Sequence, residues 1–264
     1  MELFAESLVS KLDEIIIGTT IWFGLMYLTD PLSYSIGAII PTFSKSYSQL
    51  DTMKKRNWRI RMVGFIHAIV ISAMSLYVLV TVNELYEDKI FASHSNSEMI
   101  LLVTSSFFLW DIITIVYYGD FGAEFLVHAV ASFLVFFFSF WPFAQYFGLV
   151  FLLFEMSTPF LHMNWFFDKM NMTGSVLQLI NAVFFVLVFF SVRLVFGLYF
   201  SLMFFMESYK HFEKLPIMIS FYWIANLVMN TLNIYWFSLI MPAITSRLNG
   251  NTHAIRESDK RLST

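Results

Sequence analysis

Long runs of apolar residues constrain this chain more than any other feature of its sequence. A helix needs about 20 mostly apolar residues to cross the hydrocarbon core of a bilayer, which is about 30 Å thick. Segments of this kind occupy residues 15–40, 62–83, 99–118, 122–141, 143–161, 176–206 and 215–241. The sequence therefore predicts an all-α integral membrane protein with about seven transmembrane helices.

The composition excludes a water-soluble fold. Of the 264 residues, 58% are hydrophobic and 13% are charged, whereas soluble domains average about 25% charged residues. A soluble protein of this size could not cover its surface with so few polar side chains, because much of the chain must face water. The absence of cysteine excludes disulfides and thiolate chemistry. Nothing in the composition indicates nucleic-acid binding.

Proline residues mark two breaks in the apolar segments. Asp30-Pro31 interrupts the first segment, which is either kinked or divided into a span and an interfacial piece. Trp141-Pro142 separates the fourth segment from the fifth and predicts an antiparallel hairpin. The N-terminal stretch is acidic and has no small-residue cleavage site, so the first segment is expected to be a retained span.

Lysine and arginine residues set the predicted orientation. One side carries six of them in residues 45–61, one at position 169 and four in the C-terminal tail, at Arg247, Arg256, Lys260 and Arg261. The other side carries Lys11, Lys89, Lys210 and Lys214. The N-terminus is therefore predicted to be lumenal and the C-terminus cytoplasmic. The sequon that begins at Asn171 then lies on the cytoplasmic side and is expected to remain unglycosylated.

Four ionisable residues share one depth inside the predicted spans. His67, Asp111, His128 and Glu155 each lie about 8–10 Å from the cytoplasmic ends of four consecutive segments. Charged groups in a membrane are costly and usually face the interior of a helix bundle or a watery cavity. Asp111, Glu155 and the deeper Arg193 either act directly or form ion pairs that fix helix packing. Arg193 requires a carboxylate partner, and Glu155 and Asp111 are the candidates.

The two buried histidines are the best candidates for chemistry. Imidazole can act as an acid, a base or a nucleophile near neutral pH, although an intramembrane histidine can also be a hydrogen-bonded packing residue. Glu124 precedes His128 by one helical turn, where it could orient the imidazole or interact with the helix dipole. No pair of these residues has metal-ligand spacing within a helix, so we predict no metal site.

Asparagine residues form a second polar set. Asn226, Asn230 and Asn233 repeat at i, i+4 and i+7 on one face of the last segment, and Asn181 lies about 8 Å inside the sixth. Such side chains typically form hydrogen bonds between helices. A cavity-lining role is the alternative.

Several local motifs follow one another in a recognisable order. They are Trp58-Arg59 before His67-Ala68, Phe108-Leu109-Trp110-Asp111, Phe125-Leu126-Val127-His128, Glu155-Met156-Ser157-Thr158-Pro159-Phe160 with Asn164-Trp165, Asn181, and Phe189-Phe190-Ser191-Val192-Arg193. From Arg59 to about Met241 the chain resembles the TLC-domain family, which includes the ceramide synthases. The small TLC-domain proteins of simple eukaryotes are the nearest match.

The resemblance implies six helices bundled around a lipid-accessible cavity in the endoplasmic reticulum or a related endomembrane. In the ceramide synthases, an adjacent His-His pair serves acyl transfer from acyl-coenzyme A. Here His128 is followed by Ala129, so the pair is incomplete and ceramide synthesis is not predicted. Residues 58–243 correspond to the TLC domain. Residues 1–57 contain the first span and the basic segment, and residues 244–264 form a tail.

Two functions are consistent with these features. The first is acyl transfer to a membrane lipid or amine, with acyl-coenzyme A as co-substrate and no bound cofactor. His128 would then be nucleophile or base, Asp111 would stabilise its charged form, and His67 would assist proton transfer. The second is a non-enzymatic lipid sensor, carrier or regulator of membrane lipid composition. In either case the predicted cavity or structural residues are Glu155, Asn164, Asn181, Arg193, Asn230 and Asn233.

Overall fold

The computed structural model describes residues 2–119 and 121–248, and every regular element in these ranges is helical. The helices are α1 Glu2–Ile39, α2 Pro41–Gln49, α3 Thr52–Thr81, α4 Glu84–Glu87, α5 Ser95–Tyr118, α6 Ala123–Phe138, α7 Gln145–Leu152, α8 Thr158–Lys169, α9 Val176–Phe189, α10 Gly197–Tyr209 and α11 Pro216–Leu248. A 3₁₀ helix, Leu153–Ser157, joins α7 to α8, and a π-helix, Phe190–Phe196, joins α9 to α10. The tail residues Arg256, Lys260 and Arg261 lie outside the described ranges.

The prediction of an all-α membrane protein is confirmed. Within the described residues, six helical stretches are long and apolar enough to cross a membrane: Val9–Ile39, Thr52–Thr81, Ser95–Tyr118, Gln145–Lys169, Val176–Tyr209 and Pro216–Thr245. Many large apolar side chains on their outer faces are exposed, including Tyr117 and Ile217. Contact with lipid rather than water explains this surface.

The fourth predicted span is shorter than the sequence suggested. Residues 122–141 were expected to cross as a helix, but α6 has 16 residues and is therefore about 24 Å long. After α6 ends, the chain runs beside the start of α5. There the Ala144 N–H donates to the Ile90 carbonyl at 2.6 Å, and Ser97 Oγ donates to Gln145 Oε1 at 2.5 Å. The turn at Trp141-Pro142 is thus held by hydrogen bonds to Ile90 and to the first turn of α5.

The first helix does not divide at Asp30-Pro31. Helix α1 continues through Pro31 to Ile39, and α2 begins at Pro41. Helix α3 starts at Thr52, ten residues before the predicted start at 62, because Asp51 caps it by accepting from the Lys54 N–H at 2.8 Å. The basic segment is therefore largely helical.

Asp30 ties the first three helices together. Its carboxylate accepts from Arg59 Nε at 2.7 Å, lies 2.6 Å from Arg59 Nη2, and accepts from the Tyr47 hydroxyl. Burial and the hydrogen bond to Asp30 raise the pKa of Tyr47 to about 12, so the hydroxyl remains a donor at physiological pH. Nearby, Trp58 Nε1 donates to Ser33 Oγ at 3.1 Å.

Small side chains let α1 approach α5 closely. A Cβ atom at Gly18 would lie 2.7 Å from Ser106 Oγ, which also accepts from Trp22 Nε1 at 3.2 Å. Thr19 Oγ1 donates to the Ser106 carbonyl at 3.1 Å. Close backbone approach with hydrogen bonds is a general means of helix association in membranes. It fixes α1 to the same bundle as the later helices.

The Asp30 contacts generate a stability prediction. Asp30→Asn removes the charge that binds Arg59 in a two-point geometry, and we expect a loss of about 1–3 kcal/mol of stability. Thermal melting of the purified protein in one detergent would measure it. Glu14→Gln is the matched control, because the exposed Lys11–Glu14 pair contributes little. Equal melting temperatures for the two variants would contradict the structural importance of Asp30.

Candidate functional site

Two cavities meet in the middle of the helix bundle. The Arg61 cavity extends from Arg61 and His162 to Trp236, and it encloses about 1210 Å³ between atoms, counting its open part. The Tyr222 cavity extends from Phe154 to Tyr222 and Asn226, and it encloses about 760 Å³ on the same basis. Both are lined by the same four residues where they meet: Phe108, His128, Glu155 and Arg193.

Proline shapes the backbone that carries Glu155. Pro159 has no N–H to donate to the Glu155 carbonyl, as a regular α-helix would require. The Thr158 N–H donates to that carbonyl instead, which gives the 3₁₀ segment Leu153–Ser157. Thr158 therefore no longer serves the Phe154 carbonyl, and this acceptor is free to bind a side chain.

Arg193 donates a hydrogen bond to that free carbonyl, and all three of its side-chain nitrogens form hydrogen bonds within the protein. Its side chain is buried, with 5% exposed. Arg193 Nε donates to the Phe154 carbonyl at 3.1 Å and to Ser157 Oγ at 2.9 Å. The two Nη atoms donate to Asn233 Oδ1, Thr158 Oγ1 and Glu155 Oε1 at 3.1, 3.3 and 3.4 Å. The prediction that Arg193 needs a carboxylate is confirmed, and the partner is Glu155.

The backbone around Arg193 is also irregular. Arg193 lies in the π-helix Phe190–Phe196, which interrupts an otherwise α-helical stretch. Single π turns within α-helices occur frequently at functional sites. The guanidinium lies 5.2 Å from the Phe189 ring centre and 6.0 Å from that of Trp236, so aromatic rings surround its remaining surface.

His128 lies where the two cavities meet, and no hydrogen bond to a described residue engages it. Its ring makes edge contacts with Phe108 and Trp236, with centroids 5.6 and 5.4 Å away. Buried Nδ1 finds no partner in the described part of the chain. Glu124 lies in the first turn of α6 and makes no hydrogen bond to His128, which favours its interaction with the helix dipole. The imidazole is therefore available to a ligand.

Asp111 lines the Arg61 cavity together with His128 and Glu155. Glu155 is neutralised by Arg193, whereas Asp111 has no ion pair or hydrogen bond to any residue in the described ranges. Three of the four residues predicted at one depth thus share a single cavity. An unpaired carboxylate there offers a ligand an acceptor or a negative charge.

His67 is the fourth residue of that set, and it does not line either cavity. Its ring stacks on Phe107 at 3.6 Å between centroids and is only 1% exposed. Neither ring nitrogen has a hydrogen-bond partner among the described residues. The structure therefore separates His67 from Asp111 and His128, with which the sequence grouped it.

The asparagines divide between packing and the cavity wall. Asn233 accepts from Arg193, and Asn230 Nδ2 donates to Ser201 Oγ on α10 at 2.9 Å while lining the Tyr222 cavity. Asn181 Nδ2 donates to the Phe160 carbonyl on α8 at 2.8 Å. Asn164 is buried, and its carbonyl accepts from Gln178 on α9. Asn164, Asn181 and Asn233 do not line the two cavities.

Sequence reasoning missed Arg61 and His162. Arg61 is the last residue of the basic segment, and His162 lies one residue past the fifth predicted segment, which ends at residue 161. Both line the Arg61 cavity because α3 begins at Thr52 and α8 continues to Lys169, beyond the apolar limits used for prediction. The described residues contain no cluster of three or more metal-ligating side chains.

Comparison with known proteins agrees with the motifs. The TLC domain model matches residues 57–242. An uncharacterized TLC domain-containing protein of Schizosaccharomyces pombe is 34% identical over 209 residues, covering 78% of this chain and 72% of the relative. Topoisomerase I damage affected protein 4 of Saccharomyces cerevisiae is 30% identical over 223 residues, with coverage of 78% and 79%. Human TLC domain-containing protein 4 is 25% identical over 199 residues, with coverage of 73% and 76%.

The matched region contains every residue that lines the two cavities, from Ile60 to Ile240. It also contains each motif on which the resemblance was based. The prediction made from those motifs is confirmed: this chain belongs to the TLC-domain family.

Proposed function

We propose that this protein binds a membrane lipid in the joined cavities. One observation carries the proposal: at His128, Glu155 and Arg193 an apolar cavity meets a second cavity whose wall also carries the ionisable side chains of Arg61, Asp111 and His162. A lipid has the same two-part character, with an apolar chain joined to a polar head. The acyl chain would occupy the Tyr222 cavity, and the polar part would lie against His128 and extend into the Arg61 cavity.

The walls of the Tyr222 cavity suit an acyl chain. Aromatic side chains from α6, α7 and α10 dominate its lining, including Phe136, Phe147 and Phe204. The polar groups nearby are largely committed, because the Tyr222 hydroxyl binds Ser139 and the Val135 carbonyl at 2.9 Å each. Ligand pockets in proteins commonly measure about 300–1,000 Å³ and are mainly apolar with a few polar groups.

Filling the Tyr222 cavity tests lipid binding. Ala131→Phe adds a ring at a position that lines the cavity, whereas Val130→Phe adds a similar ring at the exposed neighbouring position on α6. We expect lipid that copurifies with the natural sequence and with Val130→Phe to be depleted in Ala131→Phe. Native mass spectrometry of the purified proteins would measure it. Equal lipid content in all three proteins would overturn the location, and no bound lipid in any would overturn the proposed function.

Acyl transfer is a second candidate, and the free imidazole of His128 favours it. An amine or hydroxyl of the acceptor would attack the thioester carbonyl of acyl-coenzyme A, and His128 would take the proton released by that group. The carbon–sulfur bond breaks as the new amide or ester forms, and the coenzyme A thiolate recovers the proton. Asp111 on the same cavity wall would stabilise the positive imidazolium between these steps.

His128→Gln separates the two candidates. If acyl transfer occurs, removing the base should lower the rate of acyl-lipid formation by about 100-fold or more, while copurified lipid remains. His211→Gln is the control, because His211 contacts Phe91 far from the cavity lining. The assay is purified protein with radiolabelled acyl-coenzyme A and extracted membrane lipids. Full turnover by His128→Gln would overturn its catalytic role; the absence of turnover in the natural protein would leave lipid binding alone.

The orientation predicted from the basic residues belongs to the same proposal. The Arg61 cavity would face the cytoplasm, where acyl-coenzyme A is available, in the endoplasmic reticulum or a related endomembrane. The basic segment 45–61 adjoins this cavity through Arg61.

Epitope tags at the two termini test the orientation. After selective permeabilisation of the plasma membrane, we expect antibody to reach a C-terminal tag but not an N-terminal one. Full permeabilisation should expose both. Asn171 should also carry no glycan, as measured by an unchanged gel mobility after endoglycosidase treatment. An accessible N-terminal tag at the first stage would reverse the proposed topology.

A further inference from the structure

Arg61 and His162 lie together at one end of the Arg61 cavity. A Cβ atom added at Gly64 would be 2.8 Å from His162 Nε2, so the imidazole packs directly against α3 at that glycine. Arg61 precedes Gly64 by three residues and therefore lies on the same face of the helix. The two side chains line one cavity and interact electrostatically.

Neither side chain has a polar partner among residues 2–119 and 121–248. Arg61 makes no ion pair or hydrogen bond there; its guanidinium lies 5.0 Å from the ring centre of Trp165. His162 Nδ1 is buried without a hydrogen-bond partner. Arg193 on the same cavity wall differs, since five hydrogen bonds satisfy it. Arg61 is only partly buried, so its charge is left to solvent or to a ligand in the cavity that it lines.

The nearby carboxylates do not neutralise Arg61. Glu155 is engaged by Arg193, and Asp111 lies on the cavity wall beyond ion-pair distance of Arg61 and His162. This end of the cavity therefore combines a fixed positive charge with a second nitrogen donor. Arginine is well matched to phosphate, because its planar fork donates two parallel hydrogen bonds.

We infer that Arg61 and His162 bind a phosphate group of the ligand at the mouth of the Arg61 cavity. The inference rests on the proposed function, because the ligand occupies the same joined cavities, and it adds the chemical class of the polar end. The phosphate belongs either to a phospholipid headgroup or to coenzyme A. A larger residue at Gly64 would displace the His162 imidazole.

The test uses the purified, delipidated full chain in detergent and three probes. Dioleoyl phosphatidic acid carries the acyl chains and a phosphate, dioleoylglycerol carries the chains alone, and coenzyme A carries phosphates alone. Arg61→Gln should weaken binding of a phosphate-bearing probe by about tenfold to 100-fold, while dioleoylglycerol binding is unchanged. If the natural protein binds phosphatidic acid more tightly than dioleoylglycerol, the phosphate belongs to a lipid headgroup. If coenzyme A is the only phosphate-bearing probe that binds, the phosphate belongs to the acyl donor.

Two further variants separate ligation from structure and from general charge. Gly64→Ala keeps both Arg61 and His162 but displaces the imidazole, so it should also weaken phosphate binding. Lys45→Gln removes an exposed charge of the basic segment outside the cavity and should bind like the natural protein. Without ligand, Arg61→Gln should melt at the same temperature as the natural protein or higher, because it removes an unpaired charge.

Other results would contradict the phosphate site, the proposed lipid binding or both. Equal phosphate binding by Arg61→Gln and the natural protein would overturn the inference, as would an equal loss in Lys45→Gln or a parallel loss of dioleoylglycerol binding. Wild-type binding of dioleoylglycerol with no preference for either phosphate-bearing probe would overturn the inference and leave the proposed function standing. Failure of all three probes to bind would overturn both.

Discussion

The buried guanidinium of Arg193 is the group on which the centre of this protein depends. A charge at that position is unfavourable unless it is paired and its donors are satisfied. The structure meets this requirement with groups from two other parts of the chain: the 3₁₀ segment with the first turn of α8, and Asn233 of α11. Loss of one partner of such a pair commonly costs about 3–5 kcal/mol. The same interactions that hold Arg193 therefore hold these helices in register.

The irregular helices follow from the same requirement. Pro159 shifts the hydrogen bonds of the preceding turn and leaves the Phe154 carbonyl to Arg193. The π-helix places Arg193 opposite that turn. Each irregular segment contributes a residue to the place where the cavities meet, Glu155 from the 3₁₀ segment and Arg193 from the π-helix. The ligand groups proposed here, His128 and Asp111, lie on regular helices beside this fixed centre.

The sequence predicted the features of this arrangement that depend only on position along the chain. Segment length and hydropathy gave the spans, and electrostatics alone required a carboxylate for Arg193, which is Glu155. The depth of a residue along a helix does not show which way its side chain faces around the helix axis. His67 was therefore grouped with His128, although His67 lines neither cavity and stacks on Phe107, which lines the Arg61 cavity. The predicted segments ended where the apolar residues ended, and so they excluded Arg61 and His162. In the structure, α3 begins earlier at its Asp51 cap, and α8 continues through polar residues to Lys169. The 16-residue α6 needed tertiary contacts that no local pattern encodes.

The contrast between Arg193 and Arg61 is the strongest guide to ligand chemistry in this molecule. Two arginines line one cavity, yet one is saturated by the protein and the other meets only an aromatic face. Arg193 is buried and finds its partners within the protein, whereas Arg61 is only partly buried and leaves its charge to whatever occupies the cavity that it lines. Asp111 and His128 share this unsatisfied state, and all three lie on the cavity wall around the saturated pair. The open polar groups of Arg61, Asp111 and His128 therefore face the space that a ligand would fill, whereas the groups that bind Arg193 are already paired.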